Sequence, residues 1–523
     1  MEKHFPEGRL NHGWPILTTE QMRWSDTYTI NALGIAGEIL MAAAGDRVVE
    51  TAMQLVPEGP VCVVAGPGNN GGDGFVAAGR LQAMQRPVVL LLVGRLEQLR
   101  GDAATVARRA GEAGVPIIEV VDEAGLQAAA EQLAAAGLII DAMFGTGLGR
   151  ALDGLPREMV DRINAAGRPV LAVDIASGIH GDTGEVFGAA VRATWTLPIA
   201  ACKWGHWLGD GYGCAGRVLA PAAIGIPADI IREAWEVVPG GYRSALVMPA
   251  DLPGRFWQPR RRQSHKGMFG HVWIFGGSEG FAGAPRLAAH GAFAAGAGLV
   301  SIACPESVWQ AMTASELDAM VHPDSTEAWK KANVIVAGPG WGKAGMEKLP
   351  ELIAADCSLV VDADGLNLLA GSETLASAMA RRSALSVLTP HPGEAGRLLG
   401  MPTAAVQHDR RTAALDLARC FRAWVVLKGA GSLVVSPAGD IWLCPFGSPN
   451  LAQAGTGDVL AGMIGAVLAR GLPPEMAIPA AVALHAMAGE ADDWFMASGL
   501  AGKVAQRRRE LENRGIHAAG PEQ

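Results

Sequence analysis

Short runs of β-branched and other apolar residues alternate along the chain with longer stretches whose apolar residues recur at helical spacing. In the first half these runs are residues 61–65, 87–93, 116–121, 138–141 and 170–174. A second series comprises residues 271–275, 299–303, 333–337, 358–362, 385–389 and 424–427. Continuous apolar runs separated by helices are typical of βαβ units, whose parallel strands are buried on both faces. The pattern therefore predicts two α/β sheets.

Residues 220–262, between the two series, are rich in Pro, Gly and Arg, and their prolines interrupt any long helix or central strand. We place the domain boundary near residue 240, with domains at 1–240 and 241–510 and a polar tail at 511–523. Residues 431–436 and 440–443 flank a Pro-Ala-Gly turn and predict an antiparallel hairpin added to the second sheet. From Ala497 the chain becomes polar, so we expect a solvated helical tail.

Composition narrows the class of protein. Of 523 residues, 50% are hydrophobic and 18% charged, which is too apolar for disorder, and the net charge of −9 has no long block of one sign. The 7 cysteines are far apart, with no Cys-x-x-Cys pair, which disfavours a disulfide framework or a zinc site. No apolar run is long enough to span a bilayer, and the N-terminus does not resemble a secretory signal. We expect a cytoplasmic protein without nucleic-acid or membrane partners.

A glycine-rich segment, Gly-Pro-Gly-Asn-Asn-Gly-Gly-Asp-Gly, follows the first strand at residues 66–74. We predict a loop here and a helix that opens at Phe75. Such loops bring backbone N–H groups and a helix N-terminus up to an anion, typically a phosphate. The segment matches Gly-x-Gly-x-x-Gly, but the next strand ends at Gly94-Arg95 without the acidic residue that holds a ribose in dehydrogenases. Ordinary hydride transfer is disfavoured, and a tight turn without a ligand stays open as the alternative.

Two more polar segments follow strands of the first sheet. Asp141 opens Asp-Ala-Met-Phe-Gly-Thr-Gly, and Asp174 opens Asp-Ile-Ala-Ser-Gly. Ligands gather at the carboxyl ends of strands in an open parallel sheet, although each Asp alone could equally cap a helix. With the glycine-rich segment they would form one pocket of carboxylate, amide and hydroxyl oxygens, which suits hard cations and sugar hydroxyls.

The strongest chemical signal is Gly455-Thr456-Gly457-Asp458, which opens an apolar helix predicted to end near Leu468. Glycines let the backbone approach a phosphate, the helix N-terminus stabilises negative charge, and Asp458 is placed to take a proton from an attacking hydroxyl. The chain has no Walker loop, so this pattern predicts phosphoryl transfer of another kind. The alternative is that Asp458 only caps the helix.

Three other segments, residues 362–367, 389–394 and 428–432, follow strands of the second sheet. The last, Lys-Gly-Ala-Gly-Ser, is suited to cradle an adenine nucleotide. Each segment also has a structural interpretation: Asp362 as a cap, His391 as a turn histidine, and Lys428 as a strand-end charge. Their shared position at strand ends favours a common cleft.

Residues 18–227 resemble the epimerase domain of NAD(P)H-hydrate repair enzymes. The glycine-rich segment, the Asp141 and Asp174 segments and Lys203-x-Gly-His206 carry the resemblance. It implies a Rossmann-like three-layer fold, interconversion of the R and S hydrates, and a K⁺ ion held by Asn70, Asp141 and Ser177. The residues it implies for hydrate binding are Asn69, Asn70, Gly71, Gly72, Asp73, Gly145, Thr146, Gly147, Leu148, Gly149, Arg150, Ala151 and Asp174.

Residues 249–496 resemble the dehydratase domain of the same enzymes, which has a ribokinase-like α/β fold. The Gly455–Asp458 sequence and His265-Lys266-Gly267-x-x-Gly270 are among the matching motifs. The resemblance implies that Asp458 is the catalytic base and that ADP, with Mg²⁺, drives dehydration of the S hydrate. The implied nucleotide contacts are Lys428, Gly429, Ala430, Gly431, Ser432 and Gly457, and the implied hydrate contacts are Ala284, Gly340, His391 and Asp458.

The order of the two domains matches the fused bacterial enzyme. We therefore expect a bifunctional enzyme that acts on NADHX and NADPHX as small-molecule substrates and assembles as a homo-oligomer. The alternative is a ribokinase-like kinase of a vitamin or sugar alcohol, with a non-catalytic dinucleotide-binding first domain. Ala42, Ala43 and Ala176 stand where the epimerase family usually has other residues, and they favour that non-catalytic reading of the first domain.

Overall fold

The computed structural model describes residues 13–247, 257 and 259–519, except for the side chains of 514–519. The described chain packs as two units. One spans Trp14–Arg243, and the other contains Gly13 and the described residues from Ser244 onward. Parts of the predicted linker and tail, at 248–256, 258 and 520–523, lie outside the described residues. No helix in the described ranges combines the length and apolar content that crossing a membrane requires.

The unit Trp14–Arg243 is built on a seven-stranded parallel sheet of order β4-β3-β2-β5-β6-β7-β9. Its strands, with the separate pair β1 and β8, are β1 Ile16–Leu17, β2 Val61–Ala65, β3 Val88–Val93, β4 Ile117–Val120, β5 Leu138–Ala142, β6 Val170–Val173, β7 Trp195–Leu197, β8 Cys202–Lys203 and β9 Arg217–Val218. The predicted strands of the first series are confirmed. Short β7 and β9 were not predicted, because neither carries an apolar run longer than three residues.

Helices cover both faces of this sheet. They are α1 Thr19–Asn31, α2 Gly37–Leu55, α3 Asn69–Ala83, α4 Gly101–Glu112, α5 Glu123–Ala135, α6 Gly154–Ala165, α7 Gly211–Cys214 and α8 Ala228–Val237. Successive residues of a strand point to opposite faces. Val63 of β2 accordingly packs with α2, α3 and α4, whereas Val64 packs with α5 and α6. The result is the predicted three-layer α/β unit.

The sheet order places a crevice beside β2. The chain runs from β2 outward through β3 and β4, then returns to β5 on the other side of β2. Ala65 pairs with Ala142, so the segments that follow β2 and β5 leave the sheet at the same edge. In open α/β sheets a reversal of strand order of this kind is where ligands bind.

The second unit contains a ten-stranded sheet of order β10-β19-β18-β17-β16-β15-β14-β11-β12-β13. Its strands are β10 Ser244–Leu246, β11 His271–Phe275, β12 Leu299–Cys304, β13 Met320–Pro323, β14 Val334–Ala337, β15 Ser358–Val361, β16 Ser386–Leu388, β17 Trp424–Leu427, β18 Ser432–Val435 and β19 Ile441–Cys444. Pairing is parallel except on the two sides of β18, which confirms the predicted hairpin. The short edge strands β10 and β13 were not predicted.

Helices again lie on both faces of the sheet. They are α9 Gly283–Ala295, α10 Glu306–Ser315, α11 Leu349–Ile353, α12 Asp364–Ala370, α13 Glu373–Ala380, α14 Pro392–Leu399, α15 Thr403–His408, α16 Arg410–Phe421, α17 Thr456–Ala469, α18 Pro474–Gly489 and α19 Ala497–Ala519. Val272 and Ile274 of β11 pack in one cluster with α9, α17, α18 and α19. Phe275 contacts Trp329 and Trp341 outside that cluster.

The prediction of a solvated tail from Ala497 is wrong as far as Leu511. Leu500, Val504 and Leu511 of α19 are buried in the core cluster that includes α9 and α18. Their spacing of four and seven residues places them on one face of the helix, and that face packs inward.

Candidate active sites

A cavity of about 420 Å³ opens at the carboxyl ends of β2, β5 and β6. It is the crevice that the strand order of the first unit creates. Its walls are the start of α3, the segment after β5, Asp174 after β6, and parts of α1 and α2. Polar and charged lining residues are Thr19, Arg23, Asp26, Asn69, Asn70, Asp73, Asp102, Thr146, Asp174 and Lys203.

The glycine-rich segment is less of a loop than predicted. Helix α3 begins at Asn69 rather than at Phe75, so the Asn-Asn-Gly-Gly-Asp sequence forms its first turn. A Cβ on Gly71 would lie 1.9 Å from the Gly66 carbonyl oxygen, which explains why glycine is required for this turn to fold back on the end of β2. The first turn of α3 lines the cavity through Asn69, Asn70 and Asp73, and the unpaired N–H groups of a helix start can bind an anion, as the sequence indicated.

Asp141 and Ser177 form a fully buried pair. Asp141 Oδ1 accepts from Ser177 Oγ at 2.6 Å and Oδ2 accepts from Ser177 N at 2.8 Å. Burial raises the pKa of Asp141 to about 6, although these hydrogen bonds oppose the rise. Ser177 Oγ also accepts from Phe144 N at 2.9 Å, so the pair fixes the segment after β5. Both residues are fully buried, and neither lines the cavity.

Asp174 is held in a strained and heavily bonded position. Its φ of +67° is a left-handed conformation that non-glycine residues seldom adopt. Lys203 Nζ donates to its carboxylate and to Ile199 O, the latter at 2.7 Å. His206 Nε2 donates to Asp174 O at 2.8 Å, and burial lowers the pKa of His206 to about 4, so the ring is neutral. The surroundings fix Asp174 as a cavity group.

Two other carboxyl groups in the cavity have raised pKa values. Burial raises the pKa of Asp26 to about 6, Lys203 opposes the rise, and Asp174 adds to it. Burial raises the pKa of Asp73 well above its usual range, and the charges of Asp174 and Asp26 add to the shift. Groups with perturbed pKa values in a cleft are typical of sites that transfer protons.

In the second unit, a partly buried lysine, Lys428, lies among three carboxylates at the carboxyl ends of β15, β16 and β17. Lys428 Nζ donates to Asp362 Oδ1 at 2.8 Å and lies 3.9 Å from Glu394 Oε2. Burial alone would lower the pKa of Lys428, but Asp362 and Glu394 raise it, so the ammonium stays charged. Thr389 Oγ1 donates to the same Asp362 oxygen at 2.7 Å.

Asp458 faces this cluster from the first turn of α17. Burial, followed by the charge of Asp362, raises its pKa to about 7, and Lys428 limits the rise. Helix α17 has no side-chain cap hydrogen bond, so Asp458 is not the capping residue. A Cβ on Gly457 would lie 3.1 Å from Lys428 Nζ, so a glycine here leaves room for the lysine beside the helix N-terminus.

His391 and Glu394 start helix α14 as a capping box. His391 Nδ1 accepts from Gly393 N at 3.0 Å, and Glu394 Oε2 accepts from His391 N at 2.8 Å. Burial raises the pKa of Glu394 to about 7. The structural interpretation of His391 is confirmed, since it caps a helix that starts beside the charged cluster, and its contact with the hydrate stays a prediction.

Hydrogen bonds from Arg410 hold the backbone of the segment 428–432. Its guanidinium donates to Lys428 O at 3.4 Å, Leu427 O at 3.3 Å and Gly431 O at 3.2 Å. Ala284 and Gly340 are neighbours, since a Cβ on Gly340 would be 2.9 Å from that of Ala284. Two residues after Gly340, Gly342 N donates to the carboxylate of Asp364 at 2.7 Å. The charge of Asp364 is among those that raise the pKa of Asp458.

Two protein families match the chain, one in each unit. The family described as YjeF-related protein N-terminus matches residues 37–205, and the family described as NAD(P)H-hydrate dehydratase matches residues 272–506. The bifunctional NAD(P)H-hydrate repair enzyme Nnr of Moorella thermoacetica is 36% identical over 498 residues, which cover 91% of this chain and 92% of that protein. The chain belongs to the bifunctional NAD(P)H-hydrate repair enzyme family.

A second relative and a solved structure are also similar to this chain. Nnr of Thermofilum pendens is 35% identical over 91% of this chain and 91% of its own. A solved structure, the ADP/ATP-dependent NAD(P)H-hydrate dehydratase of Bacillus subtilis co-crystallised with ATP and Mg²⁺, is 28% identical, with a TM-score of 0.45 over 51% of this chain and 98% of that one. The predicted family and enzyme class are confirmed, and each unit is built on a mainly parallel sheet, as the predicted α/β fold class requires.

The structure brings together most of the residues predicted to bind the NAD(P)H hydrate in the first unit. Those in the cavity wall are Asn69, Asn70, Asp73, Gly145, Thr146, Gly147 and Asp174. Gly71 and Gly72 lie behind it. The remaining four, Leu148, Gly149, Arg150 and Ala151, are not in the wall: Leu148 packs toward α5 and α6, and the other three are exposed. Their part in binding stays a prediction.

Sequence reasoning missed Asp26, and it assigned no role to Glu394. Asp26 comes from a helix that precedes the first βαβ unit, and no motif marks it. The available signal was the helical spacing of Thr19, Met22, Asp26 and Ile30, which places these residues on one face of α1. Glu394 was inside a predicted segment, but only the folded chain shows that Lys428 and Asp458 lie beside it.

Proposed function

We propose that the chain performs both steps of NAD(P)H-hydrate repair, as its family does. In this proposal the unit Trp14–Arg243 interconverts the R and S hydrates, and the unit from Ser244 onward converts the S hydrate to NAD(P)H at the expense of ADP. The observation that carries the proposal is the placement of Asp458, at a helix N-terminus, beside Lys428 and with a pKa raised to about 7. The kinase alternative is not favoured, since relatives named as bifunctional repair enzymes match nine tenths of the chain.

The dehydratase step needs activation because hydroxide is a poor leaving group. The hydrate hydroxyl oxygen attacks the β-phosphorus of ADP, Asp458 takes the hydroxyl proton, and AMP departs. Phosphate then leaves from the ring carbon as the ring nitrogen supplies an electron pair, and loss of a proton from the neighbouring carbon gives NAD(P)H. A base with a pKa near the working pH is effective in such proton transfer.

The helix and the lysine stabilise the charge that develops during transfer. The N–H groups of the first turn of α17 are aimed at an anion, and the Lys428 ammonium lies next to Gly457. We assign the nucleotide to Lys428, Gly429, Ala430, Gly431, Ser432 and Gly457, and the hydrate to Ala284, Gly340, His391 and Asp458. The Arg410 hydrogen bonds keep residues 428–432 in one shape before the nucleotide arrives.

The carboxylates of the second unit suit Mg²⁺, which prefers oxygen donors and nucleotide phosphates. Asp362 already accepts from Lys428 and Thr389, and Asp458 is the proposed base. We assign Glu394 Oε1 to the ion, because Glu394 Oε2 accepts from His391 N. When bound, Mg²⁺ would neutralise phosphate charge.

The donors assigned to K⁺ are an amide, a carboxylate and a hydroxyl, which fit a hard cation. Asn70 Nδ2 is buried and has no hydrogen-bond partner among the described residues. Rotation of the amide exchanges its nitrogen and oxygen, so the Asn70 oxygen can take the position of Nδ2. In this proposal it then binds the ion together with Asp141 and Ser177. When bound, K⁺ would add a positive charge beside the phosphates of the hydrate.

Three predictions concern the protein as a whole. We propose a cytoplasmic location, in keeping with the seven cysteines, all of which are free thiols as a reducing compartment favours. A homo-oligomeric state and the absence of nucleic-acid and membrane partners stay predictions.

Separated R and S hydrates, each supplied with ADP, ATP or neither, test the proposal. We expect the reduced-nicotinamide absorbance to recover from S with ADP, and from R with ADP only while the first unit is intact. Asp174→Ala should stop recovery from R and leave recovery from S. If no donor allows either hydrate to be consumed, the proposal is wrong.

A further inference from the structure

The cavity of the first unit holds a carboxyl group that no motif assigns. Thr19, Met22, Asp26 and Ile30 are spaced at three, four and four residues, and all four line the cavity. One face of α1 therefore forms a wall of the site. Asp26 is the acidic group on that face.

Helix α1 is anchored so that Asp26 has a defined position. Thr18 and Gln21 form a capping box at its start. Thr19 donates twice to the carboxylate of Asp182, from N at 2.7 Å and from Oγ1 at 2.8 Å. Asp182 lies in the segment after β6 that also contains Asp174. Hydrogen bonds thus connect helix α1, which contains Asp26, to the segment that contains Asp174, a predicted substrate-binding residue.

We propose that Asp26 is a catalytic acid and base of the epimerase, acting on the hydroxyl-bearing ring carbon of the hydrate. This assignment rests on the proposed epimerase function of the unit. It gives the site a second proton-transfer group, on a different helix from Asp73 of α3.

Epimerisation at this carbon needs two such groups. An acid donates a proton to the hydroxyl, the C–O bond breaks with loss of water, and the ring nitrogen supplies the electron pair that forms a planar C=N⁺. Water then attacks the other face, forms a new C–O bond and gives a proton to a base. The reverse reaction exchanges the two roles, so each group must both hold and release a proton near neutral pH.

The charges that face Asp26 fit this role. Lys203 and Asp174 form a buried ion pair, with side chains 1% and 12% exposed, and the backbone of Ile199 holds both partners in place. Arg23, Asp73 and Asp102 are the other charged or titratable groups of the cavity wall. Burial raises the pKa values of Asp26 and Asp73, so that both can exist as acids near neutral pH.

The test is the variant Asp26→Asn in the full chain, measured on separated R hydrate. We expect the first-order rate of R to S conversion to fall about 100-fold or more, with R-hydrate binding by equilibrium dialysis within about threefold of wild type. Asp26→Glu should restore part of the rate, and its pH profile should shift relative to wild type. Dehydration of the S hydrate by the same variant should be unchanged.

Asp161→Asn is the matched control, because it makes the same chemical change at an exposed position of helix α6, outside the cavity wall. The assignment is overturned if Asp26→Asn converts R to S at the wild-type rate, if binding falls as much as the rate, or if Asp161→Asn slows conversion equally. Conversion in H₂¹⁸O should place labelled oxygen on the product, and unlabelled product would overturn the C–O cleavage. A wild-type chain that fails to interconvert R and S contradicts the proposed epimerase function and the Asp26 role with it.

Discussion

The two candidate sites share one arrangement and differ in how tightly it is held. In each, a glycine-led helix N-terminus places an aspartate with a raised pKa, Asp73 or Asp458, near a buried ion pair between lysine and aspartate. The lysine of the first unit, Lys203, is 1% exposed, whereas Lys428 is 19% exposed beside Gly457. The first lysine holds its aspartate in place, while the second is the one that we propose contacts a nucleotide phosphate. The same pair can therefore serve as a scaffold or as part of the chemistry.

The largest effect is expected from Asp458→Asn. Removing the proposed base should lower dehydration of the S hydrate by about 100-fold to 10⁴-fold and leave R to S conversion intact. The raised pKa means that the ionised carboxylate is disfavoured in the folded state, so the variant should not lose stability. Steady-state rates on both hydrates and a urea unfolding curve measure this.

Asp492→Asn is the control for that variant, since Asp492 is an exposed aspartate of the same unit. Equal losses of dehydration in the two variants would contradict the role of Asp458.

Lys203→Met and Lys428→Met should distinguish a lysine that stabilises the fold from one that takes part in the reaction. Lys203→Met leaves Asp174 buried without its partner, which should cost about 3–5 kcal/mol of unfolding free energy in the first unit. Lys428→Met should cost less, because Lys428 is more exposed, but should abolish dehydration. Denaturant unfolding followed alongside both activities distinguishes the two, and equal stability losses would remove the contrast.

The comparison also shows which part of the molecule the sequence can predict. The central strands were predictable because buried parallel strands are continuous apolar runs, and Val61–Ala65 and His271–Phe275 were placed to the residue. Edge strands such as Met320–Pro323 have no such signal, and the start of α3 was placed too late because glycines there pack closely instead of forming a loop.

Site residues could be predicted from the sequence only where they lie in recognisable motifs. Asp174, Lys428 and Asp458 follow strands or open helices in recognisable patterns. Asp26 and Glu394 owe their importance to groups that are distant in the sequence, and so they become visible only when the chain is folded.

A smaller effect is expected from glycine to alanine changes at the two helix starts. A Cβ at Gly71 would meet the Gly66 backbone oxygen at 1.9 Å, whereas at Gly457 it would meet the flexible end of Lys428 at 3.1 Å. Gly71→Ala should destabilise the first unit, while Gly457→Ala should only raise the KM for ADP, by about tenfold.

Gly502→Ala on helix α19 is the control for these changes, since a Cβ there meets nothing within 4 Å. It should leave the KM for ADP unchanged and raise stability slightly. A nucleotide KM unaffected by Gly457→Ala would weaken the assignment of Gly457.

The pH dependence of dehydration should report Asp458. The base must be ionised, and burial raises its pKa to about 7, so kcat/KM should fall about tenfold per pH unit below that value and level off above it. A profile measured from about pH 5 to about pH 9 checks this, and a flat profile through neutral pH would contradict the assignment.

The most direct test of the account is the product balance in a single turnover of S hydrate with ADP. The account predicts one AMP and one phosphate for each reduced nicotinamide regenerated, and none of the three from Asp458→Asn. A stable phosphorylated product, or AMP released without recovery of NAD(P)H, would contradict it.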